Sequence, residues 1–215
     1  IIEHYVGKAL GELDLKSLKA FALDETASKR GHNYVTVFID LERQRTPVVF
    51  ATPGKGKETV KAFKAFLEAH GGKPDRIAEV VCDMSPALLA AITENFENAT
   101  QTVDWFHVVQ LFTRAVDEVR KAEHKVVKLP EATRWAVLKA QNGGKLTDKQ
   151  TAALVELKAG DFLTAEAWRI KEKLRWIRKA ETVRAARWRI TSFIRHAHGC
   201  IADEAVLEPV RKALE

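Results

Sequence analysis

Leu18-Lys19-Ala20-Phe21-Ala22-Leu23-Asp24 is followed at short range by Asn33-Tyr34-Val35-Thr36-Val37-Phe38-Ile39-Asp40-Leu41 and then by Pro47-Val48-Val49-Phe50-Ala51. Residues 18–23, 33–41 and 47–51 read as three β-strands, the second rich in β-branched and aromatic residues. The polar turn at 42–46 and the other short connection leave no room for a crossover helix, so the three form an antiparallel meander. Working outward, Pro53-Gly54-Lys55-Gly56 breaks the chain. Val60, Phe63, Phe66 and Leu67 then recur at helical spacing, which predicts a helix over 59–70 that Gly71-Gly72 ends. Residues 77–82 read as a fourth strand, reached through that helix and hence parallel to the first. Ser85-Pro86, an N-cap with proline at the first helical position, opens a helix to about Phe96. Residues 100–103 form a short fifth strand.

The order β-β-β-α-β-α-β is not that of a Rossmann sheet, which alternates from the start, and no Gly-x-Gly-x-x-Gly is present. It is the order of an α/β, ribonuclease H-like mixed sheet, a three-strand antiparallel meander plus parallel strands. After Phe106 the pattern is helical: helices over 108–128 and 131–140, a loop at Asn142-Gly143-Gly144 and a helix start at Thr147. One or two long helices follow over 161–198, closed by Gly199, with a last helical stretch over 203–215. Residues 1–14 read as the end of a helix. The expected organisation is a core over 1–106 and a large all-helical insertion over 107–215, with the last core helix missing. A start at Ile1 rather than Met points to a fragment of a longer protein.

The composition, 46% hydrophobic and 30% charged over 215 residues, is that of a soluble globular protein. No apolar run approaches the ~20 residues that span a bilayer, and no signal peptide is visible. Cys82 and Cys200 read as two reduced thiols. The net charge of +6 is uneven: residues 169–195 hold ten Lys/Arg against two Glu, a net +8, which leaves −2 for the remainder. Such a basic stripe suits a polyanion, with Arg169, Lys173, Arg175, Arg178, Lys179, Arg184 and Arg187 as candidate contacts, and equally suits a solvated helix face. Trp176, Val183 and Ile190 repeat every seven residues there and read as a packed apolar face with the arginines opposite.

Asp24 and Asp83 each end an apolar run, where buried strands finish and open sheets place their chemistry. Paired carboxylates there suit Mg²⁺ or Mn²⁺, hard cations that take oxygen ligands. Strand-terminal aspartates are also ordinary turn residues, so spacing alone leaves both roles open. Asp104 and His107 lie one helical turn apart and can face the same way. None of His4, His32, His70, His124, His196 and His198 has metal-ligand spacing to His107, so it reads as a hydrogen-bonding neighbour of the site. Glu25 should point away from Asp24 if the strand continues, and Asp40 and Asp117 read as structural.

The stretches Leu23-Asp24-Glu25-Thr26, Arg30-Gly31-His32-Asn33-Tyr34-Val35-Thr36-Val37, Val81-Cys82-Asp83-Met84-Ser85 and Asp104-Trp105-Phe106-His107-Val108-Val109 resemble the ISL-three family of bacterial insertion-sequence transposases. The resemblance runs from about Leu18 to the end and includes Leu146-Thr147-Asp148-Lys149-Gln150. These are DDE enzymes with a ribonuclease H-like catalytic domain. The resemblance implies that Asp24 and Asp83 are the first two catalytic and metal-binding acids, with two Mg²⁺ or Mn²⁺ ions in the complete site. It places Asp104 and His107 near that site, in an Asp-x-x-His pattern similar to that of Mutator-like transposases. It also implies metal-dependent DNA cleavage and strand transfer, DNA partners (terminal repeats and target), a homo-oligomer when active, and a bacterial, cytoplasmic, nucleoid-associated protein. The family's third acid lies in an Asn-Gly-x-x-Glu-Gly-x-Asn-like segment that has no match here. Glu204, Glu208 and Glu215 do not fit it, so the fragment alone is expected to be inactive. A ribonuclease H-like nuclease without strand transfer and a non-catalytic DNA-binding remnant of a mobile element are the competing readings.

Overall fold

A computed structural model describes residues 11–29, 31, 33–139, 145–202 and 204–215. Five strands, β1 (Ala20–Ala27), β2 (Tyr34–Asp40), β3 (Val48–Pro53), β4 (Glu79–Cys82) and β5 (Thr100–Val103), form one mixed sheet in the order β3-β2-β1-β4-β5. The first three make the expected antiparallel meander, and β4 and β5 run parallel to β1. Helix α1 (Lys57–Ala69) carries the chain from β3 to β4, and α2 (Pro86–Asn95) from β4 to β5.

The core lies on one face of this sheet. Phe21 and Phe38 point inward from β1 and β2, and both are fully buried. Phe63 of α1 stacks on Phe38 at 4.2 Å and meets Phe21 edge-on at 4.8 Å, while Phe96 closes on Phe21 at 5.1 Å. Truncating one such buried ring to alanine costs about 3–5 kcal/mol. Gly72 is forced by this packing: a Cβ there would come within 2.2 Å of Leu67 Cδ1 and 3.0 Å of the Leu15 carbonyl.

Several strand boundaries differ from the sequence expectation: β1 starts at Ala20 rather than 18, and β3 runs over Val48–Pro53 rather than 47–51. β1 does not stop before Asp24; it continues to Ala27, because Asp24 to Ala27 keep pairing with Val37 to Tyr34 of the β-branched second strand. β4 begins at Glu79 rather than at residue 77. Fully buried Ile77 instead follows a 3₁₀ turn at Pro74–Arg76. Ser85 occupies the N-cap of α2 but makes no side-chain cap.

The chain divides into two compact units, residues 1–107 and 108–215. Helix α3 (Trp105–Glu123) begins in the first unit. The second holds α4 (Thr133–Lys139), α5 (Asp148–Ala159), α6 (Leu163–Glu172), α7 (Leu174–Arg178), α8 (Val183–Ile201) and, after a 3₁₀ turn, α9 (Glu208–Lys212). Val116, Val119, Ala136, Leu157, Ile170, Leu174, Ala197 and Ile201 are among its buried residues. Thr147 and Gln150 form a reciprocal capping box at the start of α5.

Helix α3 starts at Trp105, three residues earlier than expected, because Asp104 turns the chain: its Oδ1 accepts the Phe106 N–H at 2.9 Å and its carbonyl the His107 N–H at 3.0 Å. It stops at Glu123, whose carboxylate accepts the Leu163 and Thr164 N–H groups, each at 2.8 Å, at the start of α6. The stretch expected to hold one or two helices holds three. Gly199 does not end α8, which runs to Ile201 and stops where Ala202 takes φ 39°. Among residues 11–14 only Gly11 is helical, and residues 12–14 are not. The expectations for residues 1–10 and for Asn142-Gly143-Gly144 lie outside the described residues. No helix among the described residues is long and apolar enough to cross a membrane.

Candidate active site

The register of the parallel strands aligns three aspartates. Ala22 pairs with Val81 and Cys82 with Val103. Two residues further along both chains, Asp24 and Asp83 stand at matching positions. One residue beyond the second pair, Asp83 and Asp104 do so too, and the Asp104 N–H still donates to the Cys82 carbonyl at 2.8 Å. By register the three acids fall at matching positions, Asp83 and Asp104 just past the C-terminal ends of β4 and β5, and Asp24 in the part of β1 beyond its pairing with β4. Strand parity puts them on the face away from the phenylalanine core: Phe21, Leu23, Val80 and Cys82 are buried on the other side. The sequence expectation that Asp24 terminates its strand is therefore wrong in detail. What ends near Asp24 is the β1–β4 pairing, which stops at Ala22. A crevice where neighbouring strands part is where open α/β sheets hold ligands.

Each carboxylate is oriented by its own turn. Asp24 Oδ1 accepts the Glu25 N–H at 2.8 Å and Asp83 Oδ1 the Ser85 N–H at 2.8 Å. With Asp104 held the same way by Phe106, one oxygen of each acid is committed locally and its rotation is restrained. His107 Nε2 lies 3.9 Å from Asp104 Oδ2, close enough to interact and long for a hydrogen bond. The three carboxylates are not all within 4.8 Å of one another. Glu25 does face the other side, where it accepts the Gly56 N–H at 2.7 Å and fixes the entry to α1. Asp40 pairs with Arg43 at 3.0 Å, and Asp117 with Arg120 and Lys121 at 2.8 and 2.7 Å, structural roles as expected. The Cys82 thiol is pushed up to about 11, first by burial and then by the neighbouring Asp83 charge.

The basic stretch folds as α6, α7 and α8. Arg175, Arg178, Lys179, Arg184 and Arg187 are exposed. Arg169 and Lys173 are half-buried, and Arg169 is tied to Glu166 at 2.9 Å. Of the expected packed face only the neighbouring Ile177 is buried. Val183 is 72% and Trp188 65% exposed, and Trp176, Ile190 and Ile194 are exposed as well. The buried face of α8 is instead Phe193, Ala197 and Ile201, one helical turn apart. The seven-residue repeat starts in α7 and crosses into α8, whose packing follows the four-residue repeat instead. Trp176 and Trp188 meet edge-to-face at 5.4 Å, with the Arg189 guanidinium 5.2 Å above Trp176. The result is a surface that interleaves aromatic rings with arginines.

A transposase family model of the DDE class and ISL-three (ISL3) type matches residues 21–214, nearly the whole chain. The chain belongs to the ISL-three transposase family. This family member is 32% identical over 155 residues to the transposase for insertion sequence element IS1001 of Bordetella parapertussis, covering 68% of this chain and 36% of that protein. It is 34% identical over 105 residues to the transposase for insertion sequence element IS1557 of Mycobacterium tuberculosis, covering 49% of this chain and 23% of that one. The matches thus span about a third or less of the length of these relatives. A chain in the cryo-EM structure of the simian T-cell lymphotropic virus intasome with PP2A regulatory subunit B56 gamma aligns at 16% identity and a TM-score of 0.31. That match covers 62% of this chain and 52% of that one, a likeness too slight to specify a fold.

Two features of this ISL-three chain escape sequence reading. Lys171, counted in the basic stripe, is buried: its Nζ donates to the Val137 carbonyl at 2.6 Å and lies 3.4 Å from Glu172 Oε1. Glu166, His196 and Cys200 bring three potential ligand atoms within 4.8 Å of one another. His196 and Cys200, four apart, were a visible signal. Glu166, thirty residues earlier on another helix, was not.

Proposed function

We propose that this chain is the acid-bearing part of a DDE transposase, a ribonuclease H-like core (residues 1–106) with a helical insertion (107–215) that contacts DNA. The observation that carries the reading is the row Asp24, Asp83, Asp104 at matching positions on β1, β4 and β5. The sheet order β3-β2-β1-β4-β5 supports the ribonuclease H-like assignment. Hydrolysis of a phosphodiester and attack by the freed 3′-hydroxyl on target DNA are both in-line displacements, helped by positioning and charge neutralisation.

Asp24 and Asp83 offer oxygen donors only, which fits Mg²⁺ or Mn²⁺ and not a soft metal. Two such ions bound there would activate the attacking oxygen and neutralise charge on the leaving oxygen. The chain's own part is orientation. Backbone N–H groups fix Asp24 and Asp83, and His107 beside Asp104 supports the edge of the site. Arg175, Arg178, Lys179, Arg184 and Arg187, with the half-buried Arg169 and Lys173, supply positive charge for the phosphate backbone, and the active form is a DNA-bound homo-oligomer in the bacterial cytoplasm.

The test uses a protein that carries residues 1–215 together with the family's third acid, on duplex DNA bearing a terminal repeat. Asp24→Asn and Asp83→Asn should each lower Mg²⁺-dependent cleavage by about 10³-fold or more, while gel-shift affinity stays within about twofold, since these residues act on the transition state rather than on DNA binding. Cleavage and joining that survive both substitutions would sink the proposal. Residues 1–215 alone, in which no stretch matches the third-acid motif, should leave the same DNA intact. Robust cleavage by them that Asp83→Ala abolishes would refute that part.

A further inference from the structure

We propose that Glu166, His196 and Cys200 form a binding site for Zn²⁺ in the helical unit, different in chemistry from the aspartate row. His196 and Cys200 project from successive turns of α8, and Glu166 comes from α6. Cys200 Sγ is 3.4 Å from His196 Nε2, and one ligand atom of each residue lies within 4.8 Å of the other two. With zinc–ligand bonds of about 2.0–2.3 Å, the edges of a tetrahedral site are about 3.3–3.8 Å. The sulfur–nitrogen edge already has that length, and the remaining closure is within a rotamer adjustment of partly exposed side chains.

The donor set selects the metal. Thiolate and imidazole favour zinc over magnesium, whereas the aspartate row offers oxygen alone. Charge also agrees. One thiolate and one carboxylate balance the charge of Zn²⁺, so the loaded site is neutral beside Arg169 and Lys173. Binding releases the Cys200 thiol proton to solvent. Arg169, at 2.9 Å from Glu166 Oε2, holds the carboxylate from behind as an outer partner would.

Three protein ligands leave a fourth position, and the structure provides space for it. Glu166 and His196 line a cavity of about 480 Å³ whose walls include Trp168, Lys173 and Trp176. The Trp168 indole N–H is buried in that region without an acceptor among the described residues. Zn²⁺ there would tie α6 to the end of α8 and fix the two ends of the basic segment against each other. The site does not depend on the proposed transposition chemistry.

The test takes residues 1–215 freed of metal and titrates them with Co²⁺, then Zn²⁺. The expected result is one Co²⁺ per chain with a thiolate-to-cobalt absorption band, displaced by Zn²⁺ and not by excess Mg²⁺. Cys200→Ser should abolish the band. His196→Ala and Glu166→Gln should each weaken Zn²⁺ binding about tenfold or more, with circular dichroism unchanged, while Glu172→Gln binds as the parent does. Absence of stoichiometric binding in the parent, a band that persists in Cys200→Ser, or parent-like affinity in either of the other two variants would overturn the site.

Discussion

Lys171 is 2% exposed, and burial lowers its ammonium pKa from the ordinary 10.5 to about 8; Glu172 opposes that shift and Arg175 adds to it. The consequence for stability has a definite sign. Below pH 8 both folded and unfolded chains hold the proton and the cost of the buried charge is constant. Between about 8 and 10.5 the folded chain has released it and the unfolded chain has not, so stability rises with pH across that window and is level above it. The depression corresponds to roughly 3 kcal/mol at the full extent of the window. Lys171→Met should lack this rise. Denaturant midpoints of parent and variant at pH 7.5 and 9.5 check it, and an equal pH response in both would remove Lys171 as the cause. Nothing in the sequence distinguishes Lys171 from its basic neighbours, because only the packing of α6 against α4 decides which lysine loses solvent.

At the scale of the element, the strands were legible because their alternation is set by one buried face, which a sequence pattern records directly. β5 was read to the residue, and β2 to within one at each end. The continuation of β1 through Asp24 was not legible, since exposed Asp24, Thr26 and Ala27 carry no hydrophobic signal and are held by pairing with β2. Helix breaks were harder still. Lys173, between α6 and α7, is no helix breaker, and Gly199, which looks like one, sits inside α8. Gly199 makes a clean prediction. A Cβ there meets nothing within 4 Å, and the backbone is helical rather than left-handed. Gly199→Ala should therefore stabilise the protein by about 0.5–1 kcal/mol through the reduced freedom of the unfolded chain and better helix propensity. Urea denaturation measures it, and a loss of stability would mean that α8 ends before Gly199 in solution.

For the whole molecule, the net +8 between residues 169 and 195 overstates the charge available to a polyanion. Lys171 is buried, and Arg169 lies 2.9 Å from Glu166, an acid outside that stretch. If the helical unit contacts DNA as proposed, exposed positions such as Arg178, Lys179, Arg184 and Arg187 would carry the electrostatic part of the binding, with exposed Trp176 and Trp188 in the same stretch. Charge and stacking separate by their response to salt. Each phosphate contact removed should reduce the slope of log affinity against log salt by about 0.9 for duplex DNA, so Arg178→Ala, Arg184→Ala and Arg187→Ala should each lower it by about one. Trp188→Ala should leave the slope unchanged and weaken binding to single-stranded or unpaired ends by about 1–3 kcal/mol if a base stacks on the ring. Lys171→Met, in the same stretch but buried, supplies the internal control and should change neither quantity. Fluorescence anisotropy at four salt concentrations measures all five variants. A slope that responds to Lys171 as strongly as to Arg187 would mean that net charge, and not this exposed surface, governs binding; a slope indifferent to all three arginines would move the DNA contact elsewhere on the chain.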